Sequence, residues 1–294
     1  MHRRIVNLVI YDEAQEHERL MRHELVRLAR HTRDVTQLFV TMSPHCDVVH
    51  QLGDVLYVPG RESYVPGILH KTLEAVAYCT RHLAFDFIVR SNISTVIDFQ
   101  RLPLHELTDT LVYASAYMWN KEDRSSAFAS GTNIILNRAA VDFMLQHRDR
   151  LNHGTIDDVA IGALMCTATT PRELSTKMIW NDECTASQGA VFRNRSEDRY
   201  ADVARMRRIV DRIIATRDEA SWPLGPSTGL MGPKGPTGLA GPRGLTGPKG
   251  PTGPRGNRAL VALFAIPLFI GFLFLALSGS LALIAKKGKS ERGG

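Results

Sequence analysis

Asp157 and Asp158 stand side by side at the head of an apolar run, DDVAIGALM (157–165). Acids at the start of a helix complement its dipole and cap free amides. An adjacent acid pair can also supply a general base. Both roles fit the spacing. A second cluster follows Phe87-Ile88-Val89: Arg90-Ser91-Asn92-Ile93-Ser94 puts a cation and neutral oxygen donors at the end of an apolar stretch. The stretch reads as a buried strand that runs into a short polar break. A third feature is Ser130-Gly131, where glycine either allows backbone to approach a ligand closely or marks an ordinary turn. Lys71 adds a further cation. The stretch HCDVVH (45–50) has metal-ligating residue types but reads as a solvated loop. The four cysteines, Cys46, Cys79, Cys166 and Cys184, are too scattered for a disulfide framework or a zinc site, and read as thiols in a reducing compartment.

Strands and helices must hold these groups. IVNLVI (5–10), TQLFVTM (36–42) and DVLYV (54–58) are short apolar β-branched runs and predict strands. Residues 17–32 put Met21, Leu25, Leu28 and Thr32 on one helical face, and Pro66 opens a run in which Ile68, Thr72, Val76, Cys79 and Leu83 share a face. FDFIVRSNISTVIDF (85–99) predicts a buried strand that stops on Ser-Asn-Ile-Ser. AFASGTNIILNRAAVDFM (127–144) reads as loop, strand and helix, and 198–217 as a closing helix with Val203, Met206, Val210 and Ile213 on its inner side. Alternating strands and helices predict an α/β fold with a mostly parallel sheet covered on both faces. In such sheets ligands sit beyond the carboxyl ends of the strands, which is where the Ser-Asn-Ile-Ser break falls.

These pieces, in this order over about residues 5–215, resemble the fringe-like β-1,3-glycosyltransferases of GT-A type. The resemblance rests on Gly53-Asp54, Ser63-Tyr64 and Lys71-Thr72 in GDVLYVPGRESYVPGILHKTLEAV (53–76). It rests also on the strand FDFIVRSNIST, on Ser130-Gly131 in FASGTNIILNR, and on Asp157-Asp158-Val159 with Gly162 in DDVAIG. It implies a Rossmann-type GT-A sheet and transfer of a hexose from a nucleotide sugar to an acceptor hydroxyl, with inversion. It implies Asp158 as general base, with Asp157 either assisting through its charge or capping the helix, and a nucleotide-sugar site including Arg90, Asn92, Ser94, Lys71, Ser130 and Gly131. The family places an acidic motif where this chain has Asn92-Ile93-Ser94. Mn2+ is the cofactor that motif would take. With the acids absent, the expectation is weak or no metal binding at Asn92 and Ser94, with a cation such as Arg90 or Lys71 near the diphosphate. Tyr64 is expected either beside the nucleotide or in the core. Asn92-Ile93-Ser94 and Asn194-Arg195-Ser196 also match the glycosylation sequon and read as coincidences of composition.

The remaining sequence is of another kind. The transferase-like part is 1–220. Residues 225–257 form a collagen-like stalk, with ten glycines holding a three-residue phase from Gly229 to Gly256. Residues 258–286 predict a transmembrane helix, uncharged over 259–285, and 287–294 form a short basic tail. The net charge of +6 belongs to this end: nine basic residues and one acid lie from Ser221 onward, leaving 27 basic and 29 acidic before it. A nucleic-acid surface on the head is therefore not expected. The start, MHRRIVNLVIYDE, has too short an apolar core for a secretory signal, so the expected topology is a single-pass C-terminal anchor with a cytosolic head. Expected partners are a nucleotide sugar, a glycan or protein acceptor, a membrane, and two further copies in a stalk homotrimer. Lys234 and Lys249 follow Gly-Pro, a context that resembles modified collagen lysines. The joined parts resemble proteins of large DNA viruses, which would place the chain on a virion or host membrane. An alternative from another class is a non-catalytic trimeric surface protein whose head binds glycans.

Overall fold

The structure is a computed structural model. It describes residues 3–221, apart from 121, 124, 125 and 184–188. The chain divides into two units, Met1–Ser227 and Thr228–Gly294, and every described residue belongs to the first. The Gly-X-Y repeat, the apolar run and the basic tail lie outside the described residues. Among the described residues no helix is long and apolar enough to cross a membrane.

The elements in chain order are β1 (Ile5–Ile10), α1 (Glu16–Arg30), β2 (Val35–Ser43), β3 (His50–Leu52), β4 (Val55–Pro59), α2 (Gly67–His82), β5 (Phe87–Asn92), β6 (Thr95–Ile97), β7 (Tyr113–Ser115), β8 (Met118–Trp119), β9 (Phe128–Ala129), β10 (Asn133–Asn137), α3 (Arg138–Gln146), α4 (Asp157–Met165), β11 (Arg172–Glu173), β12 (Met178–Trp180), β13 (Val191–Arg193) and α5 (Arg199–Ser221). Strands β4, β2, β1 and β5 form a parallel block. Antiparallel β3 closes one edge; antiparallel β10 and β7, then β11, extend the other to eight strands. The fold is mixed α/β, with a parallel centre.

The parallel strands are buried on both sides, as continuous apolar runs require. Val6, Leu8 and Ile10 pack with Leu69, Leu73 and Val76 of α2 and with Ala140, Met144, Ile161 and Leu164 of α3 and α4. Val9 and Phe39 face the opposite way, onto Met21, Leu25 and Leu28 of α1 and Met206, Ile209 and Val210 of α5. Helix α2 is buried around most of its girth, so Leu69, Lys71, Leu73 and Ala75 are inside as well as the expected face. On α1, Glu24 is buried despite its charge; Arg27 and Arg207 hold its carboxylate, which stitches α1 to α5.

Two local expectations change. Phe85 is buried but precedes β5, which starts at Phe87. The polar stop at Ser91-Asn92 is a change of sheet: β6 begins at Thr95 and pairs antiparallel with β13, which pairs parallel with β12. Isoleucine 93 turns inward between the two sheets, 4% exposed. Residues 45–47 form an exposed turn leading to edge strand β3, and among the described residues no group of three or more His, Cys, Asp or Glu could hold a metal ion.

Candidate active site

From β1 the chain runs to β2 and β4 on one side, then crosses through α2 to β5 on the other side of β1. The loops after β1 and β5 therefore diverge and open a crevice at the strands' carboxyl ends. A cleft of about 750 Å3 lies there. Tyr11 and Asp12 line it after β1, Asn92 as the last residue of β5, and Ile93 and Ser94 beyond it. Lys71, Arg90, Asn92, Ser94, Ser130, Gly131, Asp157 and Asp158 all line this one cleft, although the sequence spreads them over eighty-eight positions.

The two acids have different surroundings. They occupy the first turn of α4, where their charge complements the helix dipole and Asp158 accepts from the free first-turn amide of Val159; the N-cap position itself is Ile156, with no side-chain cap. Asp157 is 3% exposed; Arg90 Nη2 donates to its Oδ2 at 2.8 Å and Thr72 Oγ1 at 3.2 Å. This anchors α4 to β5 and α2. Asp158 has no cation within ion-pair distance among the described residues. Its Oδ1 accepts from the Val159 amide at 2.9 Å and its Oδ2 from the Gly131 amide at 3.2 Å. Burial, and then the neighbouring Asp157 charge, raise its pKa above the ordinary carboxylate value, against the pull of Arg90. A carboxylate so raised and turned toward open space is a better proton acceptor than a free one.

Gly131 is required by contact: a Cβ there would lie 2.8 Å from Arg90 Nη1 and 3.3 Å from Asp158 Oδ2. The close approach is thus to two side chains of the site. Ser130 is buried, and its Oγ accepts from Thr132 Oγ1 at 3.1 Å. Gly162 lets α4 lie against β9; a Cβ there would sit 3.0 Å from the Phe128 Cα.

The cations also divide. Lys71, 2% exposed, donates to the Tyr11 carbonyl at 2.8 Å and to both Glu62 oxygens at 2.9 and 2.7 Å. Burial lowers its pKa, and Glu62 opposes that shift. Arg90 bonds Asp157, the Gly131 carbonyl and Asn92 Oδ1, the last at 2.7 Å. Both cations are thus answered by acids of the chain. Arg193 is not. It is 6% exposed, and its Nη1 donates to Ser94 Oγ at 2.7 Å and more loosely to Thr95 Oγ1 at 3.4 Å. No carboxylate among the described residues pairs with it. Burial, with Arg195, Arg90 and Arg199 nearby, pushes its pKa down to about 9.

A divalent cation does not fit the end of β5. Asn92 Oδ1 accepts from Arg90 and Ser94 Oγ from Arg193, so the two neutral oxygens there already face arginines.

No protein-family model matches the sequence, and no curated protein matches it. Among solved structures, the glycosyltransferase GlyE of Streptococcus pneumoniae TIGR4 is similar over 75% of this chain and 64% of its own, at 10% identity and a TM-score of 0.41. The chain thus spans less than two thirds of GlyE's length. A glycosyltransferase involved in glycosylation of the major capsid of PBCV-1 is similar over 69% and 98%, at 8% identity and a TM-score of 0.42. The galactosyltransferase LgtC, in complex with donor and acceptor sugar analogues, is similar over 70% and 95%, at 9% identity and a TM-score of 0.39. These are distant likenesses.

Several lining residues were not singled out from the sequence. Arg193 and Arg195 follow β13's apolar start, two positions apart, which puts them on one side of an extended segment; that spacing in VFRNRS was the available signal. Asp12 stands two residues beyond the end of β1, the same offset as Ser94 beyond β5. Trp119 and Trp180 line the cleft at 41% and 46% exposure. Tyr64 lines it too, at 64% exposure, so it stands by the cleft and not in the core. Asn194 is fully buried, which closes that sequon to modification.

Proposed function

We propose that the head is a glycosyltransferase that moves a hexose from a nucleotide sugar to an acceptor hydroxyl, with Asp158 as general base. The observation that carries this reading is the asymmetry of the acid pair: Asp157 is consumed by Arg90 and Thr72, while Asp158, on the cleft wall, has no ion-pair partner among the described residues and its pKa is raised. Asp158 takes the proton of the acceptor hydroxyl as its oxygen forms a bond to the anomeric carbon. The bond from that carbon to the diphosphate oxygen breaks on the opposite face, and the diphosphate leaves with the electron pair. Configuration at the anomeric carbon inverts, and Asp158 returns its proton to water. No step is routed through a metal, because the residues at the end of β5 do not fit one.

The test is release of nucleotide from a panel of nucleotide sugars by the full-length chain in mild detergent. Asp158→Asn removes the base while leaving an acceptor for one of its two amides, so turnover falls by about 10²- to 10⁴-fold with donor binding retained. Turnover unchanged in Asp158→Asn overturns the assignment.

The exposed rings of Tyr64, Trp119 and Trp180 around the cleft favour a second reading, a glycan-binding head without turnover. Saturable glycan binding, with no nucleotide release from any donor, distinguishes it. In either reading the C-terminal segment is a collagen-like stalk on a membrane span, three copies to an assembly; chemical crosslinking that stops at monomers rejects the trimer.

A further inference from the structure

We propose that Arg193, with Arg195 beside it, clamps the donor's diphosphate directly and takes the place of a divalent cation. The proposal rests on the glycosyl-transfer reading for the identity of the anion, though not for the existence of an anion site.

The charges around the cleft single out this place. Glu62 neutralises Lys71, Asp157 neutralises Arg90, and Asp202 holds Arg199. Arg193 is nearly as buried as Lys71 and Arg90, and no acid among the described residues pairs with it. A buried cation without a counter-ion is costly, because the desolvation is not repaid by Coulomb attraction. A ligand anion would supply the missing charge.

The surroundings orient the guanidinium without quenching it. Strand β13 pairs with β6 so that Arg193 lies opposite Thr95. Its Nη1 is fixed by the Ser94 hydroxyl, which is neutral. One edge of the planar fork is thus anchored, and among the described residues Nη2 and Nε have no hydrogen-bond acceptor. Arginine's fork matches two phosphate oxygens at once, which a lysine cannot do. Arg195 is exposed on the same cleft. Its backbone is held on both sides by Asn181, which accepts from its amide at 2.7 Å and donates to its carbonyl at 3.0 Å. Two cations spaced along one extended segment suit an anion with two negative charges. They stand at the carboxyl end of β5, where the crevice opens.

The experiment is calorimetric binding of inorganic pyrophosphate and of uridine diphosphate to the full-length chain, in excess EDTA and in Mn2+. Binding is expected to be equal in the two buffers. Arg193→Met is expected to weaken it about 10- to 100-fold, and Arg195→Ala several-fold. Ser94→Asp would place a carboxylate against the guanidinium and weaken binding in EDTA as well. Arg195 is exposed and Ser94→Asp changes few atoms, so these variants decide the matter if Arg193→Met fails to fold. Binding that vanishes in EDTA, or that is unaffected in all the folded variants, overturns the clamp. Pyrophosphate binding that depends on Arg193 with no sugar transfer keeps the clamp and rejects the transferase. Transfer that depends on Asp158 and on Mn2+ but not on Arg193 does the reverse.

Discussion

The Arg90–Asp157 pair is the joint on which the site turns, and Asp157→Asn tests it. The two side chains are 3% and 5% exposed and meet at 2.8 Å. Removing one charge of a buried pair costs about 3–5 kcal/mol, mostly because the other charge stays buried without compensation. Here the stranded group is Arg90, which keeps Asn92 Oδ1 and the Gly131 carbonyl as neutral acceptors. Those soften the loss, so about 3 kcal/mol is expected. That is a large part of the 5–15 kcal/mol typical of a folded domain. Urea unfolding followed by tryptophan fluorescence measures it. The double variant Arg90→Met, Asp157→Leu removes both charges together and should be much less destabilised than the two single losses added, giving a coupling of about 2–3 kcal/mol. A second readout concerns Asp158: loss of the Asp157 charge, with Arg90 left free to act on it, lowers its pKa on both counts. The acid limb of the rate profile therefore moves to lower pH in Asp157→Asn. A stability loss under about 1 kcal/mol, together with an unmoved acid limb, would refute the reasoning that Asp157 is spent on Arg90 and tunes its neighbour.

Other outcomes follow from the same geometry. Because the folded-state pKa of Asp158 is raised, the folded chain holds that proton more tightly than the unfolded one. Its ionisation therefore lowers stability as pH rises from the ordinary carboxylate range through the raised value. Asp158→Asn lacks that decline, so its stability relative to the parent should grow with pH across that window; parallel stability curves for the two proteins would reject the raised pKa. Gly162→Ala forces a methyl against the Phe128 backbone and should cost about 1–3 kcal/mol, read as a lower unfolding midpoint at unchanged slope. Trp119→Ala and Trp180→Ala should each weaken glycan or acceptor binding about tenfold while leaving pyrophosphate binding intact, as expected of rings that meet the sugar and not the diphosphate.

Most of the large sheet was legible because its strands and helices carry their own signals. Ile5–Ile10 is wholly buried and reads as a continuous apolar run; α1 repeats Met21, Leu25 and Leu28 at helical spacing. Seven residues of the cleft were legible because each belongs to a local pattern: an acid pair before an apolar helix, a polar stop after a strand, a glycine before one; Lys71 came only with the family resemblance. Arg193 offered only its two-residue spacing to Arg195. It sits in a three-residue strand whose place depends on pairing with Thr95, 98 positions away. Strand propensity over three residues is too weak to predict such a pairing. The burial of Glu24 was not legible for a related reason: it depends on Arg207, 183 positions on.

The neutral end of β5 and Arg193 of β13, which has no acid partner among the described residues, form one electrostatic arrangement. A carboxylate at position 94 would stand where the hydroxyl now meets Arg193 at 2.7 Å. At an effective dielectric of about 20, charges about 4 Å apart attract by about 4 kcal/mol. A diphosphate would have to displace that internal partner before it could use the guanidinium. With Ser94 the competitor is a single neutral hydrogen bond, worth about 0.5–1.5 kcal/mol, and the arginine stays oriented and free to accept an anion. The same holds at Asn92, whose amide oxygen steadies Arg90 without competing with Asp157 for its charge. Neutral side chains at 92 and 94 are therefore what lets two buried arginines keep separate tasks, one fixing the helix that carries Asp158, the other facing the cleft.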